Sequence, residues 1–83
     1  MTKNAKVLRE VLRGVSDAKI DFSDILSSLH FLGFTERIRG SHHIFNKQNI
    51  EEIVNIQPIG HKAKPYQVKQ VRNIILIYKM DVL

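Results

Sequence analysis

The sequence predicts an α+β domain in which a short antiparallel sheet packs against helices. Three observations support this class. Apolar residues recur at helical spacing near the N-terminus, three short strand-like runs follow in the middle, and a proline opens a long apolar run near the C-terminus. The predicted element order is therefore α-α-β-β-β-α. A chain of 83 residues forms one domain, so a single small core has to hold these elements together.

Two helices are predicted in the first third of the chain. The first ends near Gly14, because glycine readily adopts the left-handed conformation that follows a helix. The second begins at Asp21 as N-cap, with Asp24 in a capping-box position, and ends at Gly33. Their apolar stripes consist of Val7, Leu8, Val11, Leu12 and Val15 in the first helix and of Phe22, Ile25, Leu26, Leu29 and Leu32 in the second. His30 lies off the second stripe, so we expect it to be exposed and inert.

Three strand-like runs predict an antiparallel meander in the middle of the chain. They cover residues 34–39, 42–47 and 52–57, and polar residues at 46–49 indicate a turn between the second and the third. Pro58 ends the third run, because proline cannot donate a hydrogen bond to a strand ladder.

Alternation assigns only part of these strands to a face. In the first strand, Phe34 and Ile38 fall on one side and Arg37 and Arg39 on the other. In the second strand, residues 44–45 are both apolar, so the pattern leaves open which of the two preceding histidines faces the core.

The C-terminal third is predicted to contain a basic loop and a helix. Residues 59–64 form the loop, and Pro65 suits the first turn of a helix. The fifteen residues that start at Pro65 are too many for a typical strand and normal for a helix. The apolar surface of this helix is wide, so we expect the N-terminal helix to cover Ile74, Leu76 and Ile77.

Composition and charge restrict the compartment and the partner. The chain contains no cysteine, which excludes a disulfide framework and a thiolate metal site. No apolar run is long enough to span a bilayer and the start lacks signal-peptide features, so we expect a cytoplasmic protein with no membrane partner. The net charge is +5, and residues 36–83 hold eight Lys/Arg against four Asp/Glu. A basic surface attracts polyanions and supplies phosphate contacts, which favours a nucleic-acid partner.

The most informative motif covers residues 40–43 (GSHH), where the first strand-like run connects to the start of the second. Glycine permits a turn or a close approach of another molecule, serine adds a hydroxyl, and histidine exchanges protons near neutrality. Arg37, Arg39 and Lys47 flank the motif with positive charge. This combination indicates chemistry on a phosphate ester, whereas the plainer interpretation is a pair of half-buried surface histidines.

Several side chains are candidates for such chemistry. His42 can serve as general base or acid, and His61 can be a second proton carrier if its loop folds back over the strands; otherwise it is a solvated loop residue. Because strand neighbours point to opposite faces, His42 and His43 are not expected to share a metal ion, and we expect no metal or cofactor. Tyr66 and Phe45 either stack on bases or belong to the core. The candidate RNA-binding cations are Arg37, Arg39, Lys47, Lys62 and Lys64.

Two segments resemble the HicA family of bacterial toxins, which are small ribonucleases of toxin–antitoxin pairs. They are residues 39–45 (RGSHHIF) and 60–68 (GHKAKPYQV), and the order helix–three strands–helix agrees with the family. The resemblance covers residues 21–80 as a HicA-like core. Residues 1–20 form an N-terminal helical extension that most members lack, so its role does not follow from the resemblance.

The resemblance implies a fold, an activity and a partner. The fold is that of a double-stranded-RNA-binding domain, and the activity is metal-independent cleavage of mRNA that a HicB-like antitoxin blocks. The histidine after the Gly-Ser step is the family's catalytic residue, which corresponds to His42. The residues that would then assist catalysis by His42 are Gly40, Ser41 and His61.

Two alternatives remain open at this stage. The same fold can serve as an RNA-binding module without catalysis. The chain can also be an interaction protein whose wide C-terminal helix binds a partner, in which case its basic face has no role.

Overall fold

The computed structural model describes residues 2–82 and has the predicted α+β class, with three α-helices and a three-stranded antiparallel sheet. The helices are α1 (Lys3–Arg13), α2 (Phe22–Phe31) and α3 (Pro65–Ile77), with a short 3-10 helix at Asp17–Lys19. The strands of the main sheet are β1 (Thr35–Arg39), β2 (His42–Lys47) and β3 (Ile50–Ile56), in the order β1-β2-β3. Within residues 2–82, no helix has the length and apolar character needed to cross a membrane.

The core lies between one face of this sheet and the helices. Phe45 of β2 and Val54 and Ile56 of β3 are fully buried, because alternate residues of a strand point to the same side. They pack with the buried stripes of α2 and α3, including Leu29 and Val71. Among residues 2–82, no helix packs on the other face of the sheet, which is described below as the open face.

The first helix belongs to this core. Its N-cap Thr2 accepts a hydrogen bond from the Ala5 backbone at 3.1 Å, and Leu8 and Val11 are fully buried. The helix ends at Gly14 with φ +73°, as predicted. The chain turns there, so Val15 leaves the apolar stripe and is 72% exposed, contrary to the sequence prediction.

Helix α1 does not cover the whole apolar surface of α3 that it was expected to cover. Ile74 is buried, but Leu76 and Ile77 are 60% and 63% exposed, because they project away from the buried stripe of α3. Besides its buried residues, the N-terminal extension is held by a bidentate ion pair, in which Arg72 of α3 donates to Asp17 at 2.8 and 3.1 Å.

The second helix has the predicted ends but not the predicted capping box. Asp21 occupies the N-cap position, yet its side chain makes no capping hydrogen bond and pairs with Lys62 at 2.6 Å. Asp24 pairs with Lys3 at 3.3 Å instead of closing the box. Gly33 follows the helix with φ +95°, the left-handed conformation expected at this position.

Residues 58–63 are not the predicted loop. They form a small hairpin of β4 (Pro58–Ile59) and β5 (Lys62–Ala63), so Pro58 opens a strand pair. Ala63 donates a backbone hydrogen bond to Ile20 at 2.9 Å, which attaches the hairpin to the segment before α2. The third strand also starts earlier than predicted, at Ile50.

Candidate active site around His42

A tight turn places His42 at the first position of β2. Gly40 adopts φ +59°, a left-handed conformation that favours glycine, and Ser41 completes the turn. A side chain at Gly40 would meet open space, so the turn itself and not a close contact explains this glycine. The motif therefore connects β1 to β2 and places His42, an exposed residue, at the start of the central strand.

Strand register resolves which histidine faces the core. His42 pairs with Arg39, and Ile44 pairs with both Arg37 and Asn55; directly paired residues lie on the same face. These residues form the open face, which we define as Arg37, Arg39, His42, Ile44 and Asn55. Its members are exposed or half-buried.

His43 faces the helices. It pairs with Ile56 of the core, its side chain is only 20% exposed, and its ring meets Phe22 edge-on at a centroid distance of 5.0 Å. The two histidines thus point to opposite faces, as expected of neighbours in a strand. Within residues 2–82, no group of three or more His, Cys, Asp or Glu side chains could hold a metal ion.

Both ring nitrogens of His42 have hydrogen-bond partners. Nδ1 lies 3.0 Å from Oδ1 of Asn55, and Nε2 lies 3.2 Å from Nε2 of Gln57. The Gln57 amide also donates to Oγ of Ser41 at 3.0 Å and accepts from Nζ of Lys64 at 3.4 Å. The ring is therefore held in one orientation by neutral amides from β3 and the residue after it.

A buried glutamine on α3 holds the backbone that carries these amides. Gln67 is 3% exposed; its Nε2 donates to the Asn55 carbonyl and its Oε1 accepts from the Gln57 backbone N–H, each at 3.2 Å. The Gln67 side chain thus makes backbone hydrogen bonds at the end of β3 that a neighbouring strand would otherwise make. A buried amide with all these partners is satisfied and stabilises the site.

Three of the predicted cations lie near His42. Arg37 and Arg39 are exposed on the open face, where Arg39 is the direct cross-strand neighbour of His42. Lys64 approaches the same histidine through Gln57. Strand register thus places Arg39 beside His42, and one amide separates Lys64 from it.

The other two predicted cations do not join this group. Lys47 lies on the helix-facing side of β2, with its ammonium group over Gly33. Lys62 pairs with Asp21 at 2.6 Å, and this hydrogen bond lowers the pKa of the Asp21 carboxyl below its usual value.

His61 is exposed at the turn between β4 and β5. Its carbonyl accepts a hydrogen bond from the Phe22 backbone at 2.8 Å, which fixes the turn against the start of α2. Its side chain borders an open groove that Asp21, Ser23 and Lys62 also line. Within the described part of the chain, no hydrogen bond or ring contact joins His61 to His42, so the structure does not bring the two predicted proton carriers together.

A second polar cluster lies on the helix-facing side of the sheet. Glu36 accepts hydrogen bonds from Nδ1 of His43 at 2.6 Å and from Nε2 of His30 at 2.8 Å. The bond from His43 is the main reason why the pKa of Glu36 is lowered, with a smaller contribution from His30. His30 is exposed as expected, but it is not inert, because it links α2 to β1.

The two aromatic candidates have different surroundings. Phe45 is fully buried and cannot stack on a base. Tyr66 is 66% exposed at the start of α3, and its hydroxyl accepts a hydrogen bond from Gln67 at 3.4 Å. Of the two candidates, Tyr66 is therefore the ring that is accessible for stacking.

Sequence reasoning missed Asn55, Gln57 and Gln67. Asn55 alternates with the buried Val54 and Ile56, and this alternation was the only signal that placed it on the open face. No motif marks an amide as a partner of a histidine 13 residues away.

No protein-family model, curated protein or solved structure matches this chain. The resemblance to HicA toxins therefore stays a prediction from the two quoted segments.

Proposed function

We propose that this protein is an endoribonuclease of the HicA type that cleaves mRNA through His42 without a metal ion. The observation that carries the proposal is an exposed histidine with both ring nitrogens engaged, next to Arg39 and near Lys64. Histidine can accept the proton of a ribose 2′-hydroxyl, and the cations can stabilise the charge that grows on the phosphate.

The proposed reaction is an internal transfer within RNA. The 2′-oxygen loses its proton to His42 and bonds to the adjacent phosphorus, and the bond from phosphorus to the 5′-oxygen breaks. The products are a 2′,3′-cyclic phosphate and a 5′-hydroxyl, which takes its proton from water. His61 is the sequence-predicted candidate for that second proton, but it would have to reach the site from its own hairpin.

The related proposals concern fold, partner and location. We propose that residues 21–80 form a fold of the double-stranded-RNA-binding type, supported by the succession of α2, three antiparallel strands and α3. A HicB-like antitoxin is the proposed inhibitor, because a net charge of +5 favours fast association with an acidic protein. The proposed location is the cytoplasm.

The test compares His42→Ala with His43→Ala in cleavage of a mixed RNA in the presence of EDTA. His42→Ala should reduce the rate by roughly 10² or more, the usual scale for one general acid or base. It should change stability by about 1 kcal/mol or less, because the ring is exposed. His43→Ala should retain most of the activity but unfold more easily, because it loses the contacts to Glu36 and Phe22.

A folded His42→Ala variant that cuts at the wild-type rate would refute the assignment. Activity that disappears in EDTA and returns with one divalent ion would refute the metal-independent mechanism. His61→Ala, measured in parallel, shows whether the second histidine contributes.

The alternative is an RNA-binding module without catalysis, which the exposed cations Arg37 and Arg39 would also serve. The logarithm of the binding constant should fall by roughly 0.7 to 0.9 per phosphate contact for each tenfold rise in salt concentration. Three to five contacts therefore give a slope of log K against log salt of about −2 to −4. Arg37→Gln should reduce the slope by about one contact, whereas Lys47→Gln, on the opposite side of the sheet, should leave it unchanged. Salt-dependent binding without any cleavage would favour this alternative.

A further inference from the structure

Lys64 fixes the orientation of the Gln57 amide. An ammonium group can only donate hydrogen bonds, so the atom of Gln57 that faces Nζ of Lys64 at 3.4 Å has to be the carbonyl oxygen. The NH₂ group of Gln57 then points to Ser41 and His42, at 3.0 and 3.2 Å.

This orientation determines the tautomer of His42. Because the Gln57 NH₂ group donates, Nε2 of His42 has to accept, and a neutral ring that accepts at Nε2 carries its hydrogen on Nδ1. Nδ1–H in turn requires an acceptor, which is Oδ1 of Asn55 at 3.0 Å. If the Asn55 amide were reversed, its NH₂ group would face Nδ1–H of His42, and two donors would meet. Only one arrangement of the amides and the ring therefore satisfies every hydrogen bond in the series.

We propose that Lys64, Gln57 and Asn55 hold neutral His42 in the Nδ1–H tautomer, so that Nε2 is the atom that receives the 2′-hydroxyl proton. The second part rests on the proposed ribonuclease function. Asn55 and Gln57 are positioning residues, because they act through His42. An unrestrained neutral histidine favours the Nε2–H form, and the hydrogen bond to one nitrogen decides which nitrogen carries the proton.

The arrangement also specifies how substrate enters. The Gln57 amide occupies Nε2 in the free protein, so the 2′-hydroxyl has to replace it as the donor to that atom. The hydroxyl then passes its proton to Nε2 while Nδ1–H keeps its hydrogen bond to Asn55. The ring becomes an imidazolium in this step, and it returns to the neutral form when it releases the proton to water.

The tautomer can be measured without RNA. Long-range ¹⁵N–¹H correlation spectra of the labelled full chain at about pH 8, where histidine is neutral, distinguish a protonated from an unprotonated ring nitrogen. His42 should show Nδ1–H, and His42→Ala identifies its signals. His30 is an internal control with the opposite form, because its Nε2 donates to the Glu36 carboxylate at 2.8 Å.

Two substitutions at Asn55 separate positioning from packing. Asn55→Leu removes the acceptor, so His42 should shift towards Nε2–H while His30 keeps its form. The kcat of the Asn55→Leu variant should fall roughly tenfold or more with little change in KM, since the wrong tautomer cannot act as the base. Asn55→Asp keeps an acceptor, so it should retain Nδ1–H and restore activity, with the acidic limb of the pH–rate profile moved to higher pH.

Each result decides the proposal. His42 in the Nε2–H form in the wild type, or an Asn55→Leu variant with unchanged tautomer, would overturn it. If Asn55→Leu does not fold, Gln57→Glu provides the same test, because a carboxylate at this position accepts and should draw the proton to Nε2. A wild type with Nδ1–H at His42 but no cleavage of RNA would uphold the positioning and refute the ribonuclease.

Discussion

Replacing Gln67 by leucine should lower stability, because this buried side chain supplies two hydrogen bonds to the end of β3. The substitution keeps the approximate size of the side chain but leaves the Asn55 carbonyl and the Gln57 N–H without their partner. Leaving a buried polar group unpaired costs about 1–3 kcal/mol. Both groups are only part-buried, so water can replace some of the loss and the lower part of the range applies to each.

The expected net cost is about 2 kcal/mol, from two such groups at about 1 kcal/mol each. A domain of this size is stable by about 4–12 kcal/mol, so the variant should still fold. The midpoint of thermal unfolding should fall by about 8–16 °C, since 1 kcal/mol corresponds to about 4–8 °C in a domain of 60–100 residues.

The assay is thermal unfolding followed by circular dichroism, with hydrogen exchange at the Gln57 amide as a local measurement. Gln70→Leu is the matched control, because Gln70 lies on the same helix and makes no side-chain hydrogen bond within residues 2–82. It should change stability by no more than about 0.5 kcal/mol. Equal melting temperatures for the two variants, or an equally protected Gln57 amide in Gln67→Leu, would contradict the reasoning.

Two further predictions concern the polar cluster around Glu36 and the N-terminal helix. Because the pKa of Glu36 is lowered in the folded state, its contribution to stability is present above the unfolded value of about 4.3 and is lost as the pH falls through the folded value. Urea unfolding between neutral and acidic pH should therefore show a smaller loss of stability for Glu36→Gln than for the wild type, and parallel losses would contradict this. Leu8→Ala should cost about 2–5 kcal/mol in thermal unfolding, because Leu8 is fully buried, whereas Val15→Ala should have almost no effect. Equal effects of these two substitutions would show that α1 is not part of the core.

The sequence predicted the larger elements because each has a clear period and clear ends. The α2 stripe and Gly33 define one helix, and Pro65 with its long apolar run defines another. The β4–β5 hairpin escaped prediction because strands of two residues are too short to show alternation. Tertiary contacts hold that hairpin, such as the hydrogen bond from Ala63 to Ile20, and a linear pattern does not reveal them.

The site was predictable only in part. The motif singled out His42, but the sequence did not show which face of the sheet His42 occupies. That depends on whether Ile44 or Phe45 is buried, and both are apolar. Once Phe45 is known to be buried, alternation places His43 and Lys47 on the same side as Phe45. The RNA-binding prediction grouped Lys47 with the arginines by sequence distance, and the structure separates them by this alternation.

The pairing register of β3 could not be predicted from the sequence. The hairpin starts with Lys47 opposite Ile50, and an irregularity between Phe45 and Lys47 then shifts the pairing so that Ile44 meets Asn55. Such a bulge has no sequence signature here. The shift is by two residues, so it changes neighbours along the strand but leaves every side chain on its own face.

Strand alternation and the position of the acceptors explain how adjacent histidines acquire different surroundings. Both bond through Nδ1, but the acceptor for His43 is a carboxylate that also binds His30, so His43 joins β2 to β1 and α2. The acceptor for His42 is an exposed amide, and none of its hydrogen bonds connects the sheet to a buried helix stripe. Loss of the His43 ring therefore disturbs the packing of three elements, whereas loss of the His42 ring disturbs only the hydrogen bonds on the open face. A side chain whose removal is expected to cost the fold little, but whose two nitrogens are both oriented, fits the role of general base proposed for His42.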